Sequence, residues 1–508
     1  MKNYLNNIPK IKTLGELIDA GYKQRSVKTE LRENLIKALN NGQNPFPGIF
    51  GYDETVIPDL EKAILSRHNI LLLGLRGQAK TRIARQLTNL LDEFIPIVKG
   101  TEINDDPFDP ISGFAKDKIS RDGNNTEIEW LHRSNRYTEK LATPDVTVAD
   151  LIGDLDPIKA ASNKLNYSDE RAIHFGLIPR SHRSIFVLNE IPDLQARIQV
   201  SLFNILQEED IQIRGFKMRL PLDIAFVFTA NPEDYTNRGS IVTPLKDRIE
   251  SQILTHYPRS IEVSKKITRQ EAVIPEDIKE KIRVSGLIED LIEQIAFEAR
   301  ASELVDSKSG VSARLTITAF ENLFSTAHRR ILKTGEDKTS ARISDLYGVI
   351  PAITGKIELV YEGEQEGPSK VAFNLIGKAI RSTFLQMFPT PQNTKKGKEK
   401  SVYSDIMEWY GKGNYTDFLN TSTNMVYAET LRNIPRLDDI IKKYYPELSD
   451  DEKNLYMEFV LHGLAECSML SKSKIESRFQ FRDLISSMFS GKSEQDDFDA
   501  DDFTDDEK

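Results

Sequence analysis

Apolar and polar positions change their period along the chain, and the changes divide it. Between about residue 45 and residue 262, short continuous apolar runs alternate with stretches of helical spacing. Ile70–Leu73, Ser184–Asn189 and Ile224–Ala230 are apolar at nearly every position, which predicts strands buried on both faces of a parallel sheet. Ile83, Leu87, Leu90 and Leu91 recur at helical spacing after the first run, and Ile198, Leu202, Ile205 and Leu206 do so between the other two. Alternation of this kind predicts a doubly wound α/β domain with its ligand at the carboxyl ends of the strands. Residues 100–150 are polar and rich in Asp, Gly and Asn, and read as an insertion into that domain.

The flanking text is different. Residues 1–44 read as a polar helical lead-in, and residues 263–387 as a helical domain with few strand signals. Residues 388–402 have the Pro/Lys/Gly composition of a linker, and residues 403–490 form a further helical unit. The tail from 491 to 508 is dense in carboxylates, so it is expected to stay disordered.

Composition narrows the function. A chain of 508 residues with 39% hydrophobic and 29% charged residues can bury several cores, about three domains by length. No stretch approaches the ~20 apolar residues needed to span a bilayer, and the first ten residues lack the apolar core of a secretion signal, so a cytoplasmic location is expected. The single Cys467 leaves no partner for an intrachain disulfide and fits a reducing compartment. Seven histidines are scattered, and His174 and His182 read as loop or surface residues, not metal ligands. A net charge of −10 argues against general nucleic-acid binding.

The chemistry concentrates at the ends of the predicted strands. Gly74-Leu75-Arg76-Gly77-Gln78-Ala79-Lys80-Thr81 joins the first strand to a helix, the context that a phosphate-binding loop requires. Its backbone N–H groups and the helix N-terminus suit polyphosphate. Lys80 brings a charge for the outer phosphates, and Thr81 a hydroxyl for Mg²⁺. Ala79 stands where the pattern G-x-x-x-x-G-K-S/T has its second glycine, and a helical backbone, which alanine tolerates, is expected there. The second strand ends in Asn189-Glu190. Glu190 is placed to orient or deprotonate a water that attacks the γ-phosphate. Asn189 falls where an aspartate usually helps to hold Mg²⁺. A unit charge at 4 Å is worth about 4 kcal/mol at an effective dielectric of 20, so the amide predicts slow hydrolysis unless a nearby acid such as Asp193 compensates. The third strand ends in Asn231, beside these two. Arg248 closes the short segment Thr243-Pro-Leu-Lys-Asp-Arg248, with Arg238 as a competing arginine, and Arg314 follows Gly310-Val-Ser-Ala. Arg180 and Arg183 fit an interface or a loop cap equally well.

Taken together these segments resemble AAA+ ATPases of the MoxR and magnesium-chelatase I-subunit clade. The stretch from His174 to Leu194 is similar to the family's text around its acidic strand end, and Leu202–Leu220 resembles its helix and β-hairpin insertion. Ala230-Asn-Pro-Glu233, Leu245-Lys-Asp-Arg248 and Gly310-Val-Ser-Ala-Arg314 resemble its sensor 1, arginine-finger and sensor 2 segments. The resemblance covers roughly residues 45–330. It implies a P-loop AAA+ α/β core with a parallel sheet, a helical lid, and a further helical C-terminal region. It implies ATP and Mg²⁺ as cofactors, with Gly74 to Thr81 around the nucleotide, Thr81 and Asn189 near the metal, and Glu190, Asn231, Arg248 and Arg314 in catalysis. It also implies a homo-hexameric ring, since a finger arginine serves the neighbouring subunit, and a partner with a von Willebrand A domain. Two other readings stand beside it. One is a sigma-54-type transcription activator on the same core, although the G-A-F-T-G-A loop of that group is not in the sequence. The other is a nucleotide-binding scaffold that hydrolyses weakly.

Overall fold

The computed structural model describes residues 9–162, 172–212, 219–232, 240–391, 401–419, 421–475 and 478–484. The acidic tail, the centre of the linker and Arg238 lie outside the described residues. The chain divides into two compact units, Met1–Tyr257 and Pro258–Lys508.

The first unit is built on a five-stranded parallel sheet. Its strands are β1 (Ile70–Leu73), β2 (Tyr137–Leu141), β3 (Ser184–Asn189), β4 (Ile224–Ala230) and β5 (Ser251–Leu254), in the order β5-β1-β4-β3-β2. Three of these are the apolar runs predicted from sequence. Side chains alternate across a strand, so each run feeds two cores. Ile70, Leu72, Ile185, Val187 and Val227 pack on one face with α1 (Val27–Asn40) and α2 (Lys80–Gln86). Leu71, Leu73, Phe186, Leu188, Phe226 and Phe228 pack on the other with α3 (Ala196–Ser201) and α4 (Phe203–Glu208).

Part of the stretch read as an insertion belongs to this sheet. Tyr137–Leu141 forms its edge strand, paired in parallel with β3 so that Leu141 stands opposite Asn189. An edge strand needs only one neighbour and little burial, so it escapes a search for apolar runs. The lead-in is tied to the core. Ser26 caps α1 by accepting from Thr29 N–H, Asp223 accepts from Val27 N–H at 2.8 Å, and Glu30 meets Arg136 through two buried bonds of 2.6 and 2.7 Å.

The second unit packs long helices around one apolar cluster that runs from Ile274 to Phe481. They include α6 (Gly286–Ala301), α7 (Arg314–Thr334), α8 (Pro368–Met387) and α9 (Asp450–Glu466), after the short α5 (Thr243–Asp247) of the first unit. On α7, Leu315, Ala319, Leu323 and Ala327 form the buried stripe, and Gly335 ends the helix at φ 73°. The segment expected to be helical after the linker also contains an antiparallel sheet of β6 (Thr416–Leu419), β8 (Arg478–Asp483) and β7 (Leu470–Ile475), in that order.

Candidate nucleotide-binding site

The loop Gly74–Thr81 leaves the carboxyl end of β1, and β4 and β3 bring Asn231 and Asn189-Glu190 to the same edge of the sheet. Space dictates glycine at the loop's start: a Cβ on Gly74 would overlap the Thr255 hydroxyl and the Gln78 side chain. Gly77 has φ 74°. Ala79 corrects the sequence reading. It is not in the right-handed helical region but left-handed, at φ 58° and ψ 17°, as the N-cap of α2. That conformation costs an L-residue roughly 1–2 kcal/mol, so the missing glycine leaves strain in the loop.

The loop is held from outside by residues the motifs did not point to. The hydroxyl of Tyr52, which is buried, lies 2.7 Å from His256 C=O and 3.0 Å from Gln78 C=O, so its one proton serves either carbonyl. Thr255 donates to Gln78 Oε1 at 2.7 Å, and Tyr257 to Arg76 C=O at 2.8 Å. These contacts fix the backbone before any ligand arrives, which lowers the ordering cost of binding.

Lys80 is buried. Its ammonium donates to Gly74 C=O, to Leu75 C=O at 3.1 Å, and to Asn231 Oδ1 at 2.8 Å. One cation thus joins the loop to the end of β4. Thr81, the second residue of α2, is half-buried.

On β3 the amide of Asn189 is held from both sides. Its Nδ2 donates to Glu139 Oε1 at 2.6 Å, and its Oδ1 accepts from the Thr229 hydroxyl at 3.1 Å. Thr229 also accepts from Glu190 N–H at 3.1 Å. The acid bonded to Asn189 is therefore Glu139 of β2, not Asp193, which lies in the turn after Glu190. Glu190 is half-buried and left-handed, at φ 54° and ψ 51°. A non-glycine residue held there marks a backbone constrained by its surroundings.

The remaining candidates sit apart from this cluster. Arg248 donates to Gln207 Oε1 at 3.0 Å and to Pro244 C=O at 2.7 Å, with its guanidinium 4.9 Å from the Phe203 ring. Arg314 belongs to the second unit, at the first turn of α7. Arg180 is exposed, but Arg183 is internal: it pairs with Asp106 at 2.9 Å and donates to Pro96 C=O at 2.7 Å. His174 is exposed, whereas His182 is buried, contrary to expectation. Its Nδ1 accepts from Asp223 N–H at 3.0 Å. Burial, helped by the Arg183 charge and opposed by Asp105, pulls its pKa down to about 3.

The donor set suits a Mg²⁺–nucleotide. Glycine-bordered N–H groups, one buried lysine, one threonine hydroxyl at a helix start and a strand-end acid are what polyphosphate and its metal require. Among the described residues no His, Cys, Asp and Glu side chains gather in a three-ligand metal cluster. No described helix is long and apolar enough to cross a membrane.

Comparison with known proteins bears on the second half of this site. A family model described as the sigma-54 interaction domain matches residues 162–252, from before β3 to β5. With the five-stranded sheet and its loop, that decides the type. The core is an AAA+ core. The matched segment of the AAA+ core holds Asn189, Glu190, Asn231 and Arg248, and begins after the phosphate loop. Among solved structures, the chain is similar to a candidate ATPase from Cytophaga hutchinsonii ATCC 33406, at 17% identity and TM-score 0.29, over 71% of this chain and 97% of that one. It is similar to magnesium chelatase in a complex of subunits BchI and BchD, at 18% identity and TM-score 0.33, over 63% and 98%. NtrX from Brucella abortus in complex with ADP is similar at 12% identity and TM-score 0.35, over 80% and 72%. No curated protein matches the chain. Among AAA+ proteins, the motifs resemble the MoxR and magnesium-chelatase clade.

Proposed function

We propose that this protein binds Mg²⁺–ATP at the Gly74–Thr81 loop and hydrolyses it slowly, as a ring-forming remodelling or metal-insertion-assisting ATPase. The observation that carries the reading is the convergence of Lys80 and Asn231, with Asn189-Glu190 on the adjoining strand. In this reading Lys80 and the loop N–H groups bind the phosphates. Glu190 takes or orients the proton of the attacking water, and Asn231 positions that water. When bound, Mg²⁺ supplies charge neutralisation on the phosphate oxygens, near Thr81 and Asn189. Arg248 is assigned as the finger for a neighbouring subunit's site, and Arg314 keeps the catalytic role that the family resemblance implies. The partner carrying a von Willebrand A domain rests on family resemblance. A reducing, cytoplasmic setting rests on the lone Cys467.

The test is ATP turnover by the full chain beside Glu190→Gln. The reading expects slow turnover that the substitution abolishes while ATP still binds.

The sigma-54 family match favours a second reading, a transcription activator. That reading requires ATP-dependent engagement of sigma-54. The sequence lacks the G-A-F-T-G-A loop used for it, so co-sedimentation of ATP-loaded protein with sigma-54 is expected to be negative.

A further inference from the structure

The strand-end position that the resemblance assigns to a magnesium-associated carboxylate is an amide here, and the fold sets another carboxylate against it. Glu139 lies on β2 opposite Val187 of β3. Residues two apart on a strand share a face, so Val187 and Asn189 both face the side packed by Ile83 and Ala84 of α2. Glu139 Oε1 accepts from Asn189 Nδ2 at 2.6 Å. Its Oε2 takes the Tyr137 hydroxyl and the Arg85 guanidinium, each at 3.0 Å. Arg85 is four residues beyond Thr81, on the same stripe of α2. Arg85, Glu139 and Asn189 therefore form a bonded series that starts on the face of α2 shared with Thr81.

An ionised carboxylate only accepts hydrogen bonds. Glu139 thus fixes the Asn189 amide with Nδ2 toward itself and Oδ1 toward Thr229. Oδ1 keeps a second lone pair for a metal-bound water. We infer that Glu139 is the acid of the magnesium site, supplying from the neighbouring strand the negative charge that Asn189 lacks and holding Asn189 in the orientation that accepts from a metal-bound water. The assignment rests on the ATPase reading above. Magnesium keeps several of its waters and takes one or two carboxylates beside the phosphates, so a single acid acting through water is sufficient. Arg85 competes for Oε2, but its side chain is 65% exposed and such pairs are weak. Oε1 stays on Asn189.

The experiment measures the Mg²⁺ concentration that half-saturates ATP binding to the full chain, by calorimetry, without relying on turnover. Glu139→Gln should raise it roughly 10–100-fold, the usual cost of losing a residue that orients a metal ligand. Glu139→Gln with Asn189→Asp should recover most of the loss. Arg85→Met, which removes only the competing cation, should not raise it. Asn189→Asp alone gives a second readout. Two carboxylates then face each other, so the melting temperature should fall in chelator and recover with Mg²⁺ and ATP. A wild-type Mg²⁺ titration in Glu139→Gln overturns the assignment and leaves the ATPase reading standing. So does an equal loss in Arg85→Met, which would make Glu139 a structural prop. A wild-type chain that binds no ATP brings down both.

Discussion

Lys80 Nζ lies 2.8 Å from Asn231 Oδ1, although Lys80 opens α2 and Asn231 follows β4, far apart in the chain. The bond makes the loop and the end of β4 one unit. A phosphate that draws Lys80 toward itself changes the partner of Asn231 at the same moment. Binding at the loop and the placement of the Asn231 amide are then linked through one cation.

Ala79→Gly should stabilise the first unit. Glycine adopts the left-handed conformation without the Cβ penalty, but it costs more entropy on folding. The net gain expected is about 0.5–1 kcal/mol, read from the denaturant midpoint of the first transition. A loss of stability would mean that the Ala79 methyl makes contacts worth more than its strain.

His182 should make the first unit acid-sensitive. Its folded pKa lies near 3 and its ordinary value is 6.5, so the unfolded chain takes up a proton that the fold refuses. Stability from this group is complete above pH 6.5 and declines as pH falls toward 3. By pH 5 the loss is about 2 kcal/mol. Asp223 acts in the opposite sense. Burial raises its pKa to about 6, so it favours the fold as pH falls from 6 toward 3.8. His182→Asn keeps an acceptor for Asp223 N–H and removes the titration. Its stability should rise between pH 7 and pH 5, where the wild type's does not. Parallel pH profiles would show that His182 is not the sensitive group.

Much of the core was legible because a parallel strand buried on both faces has to be apolar at nearly every position, as Ile70–Leu73 and Ile224–Ala230 are. The edge strand was not. Tyr137-Thr-Glu-Lys-Leu141 has one neighbour and no buried run, so Glu139 stayed hidden until β2 was seen beside β3. Arg478–Asp483 does alternate, with Phe479 and Phe481 buried, a period-two signal that the surrounding helical text obscured. Ala79 was misread although the motif has glycine at that position, a residue favoured where φ is positive, as it is here at 58°.

Arg248→Ala should fold and bind ATP but turn it over poorly, because fingers of this kind contribute ~10³–10⁵ in rate in GTPases. In its own chain Arg248 rests on Phe203, Gln207 and Pro244, so its substitution removes one cation–π contact and two exposed bonds. The defect should act between subunits. Mixing Arg248→Ala with Lys80→Ala chains should restore part of the activity, since an intact loop can then meet an intact finger. Mixed rings that stay inactive at every ratio would pass the finger role to another arginine.

The central claim is that Gly74–Thr81 is a nucleotide site served by Lys80. Calorimetric titration of Mg²⁺–ATP into the wild-type chain and into Lys80→Ala tests it most directly. The account expects saturable binding in the wild type and its loss in the variant, with the fold intact by circular dichroism. Binding in Lys80→Ala at near wild-type affinity, or none in the wild type, would contradict it.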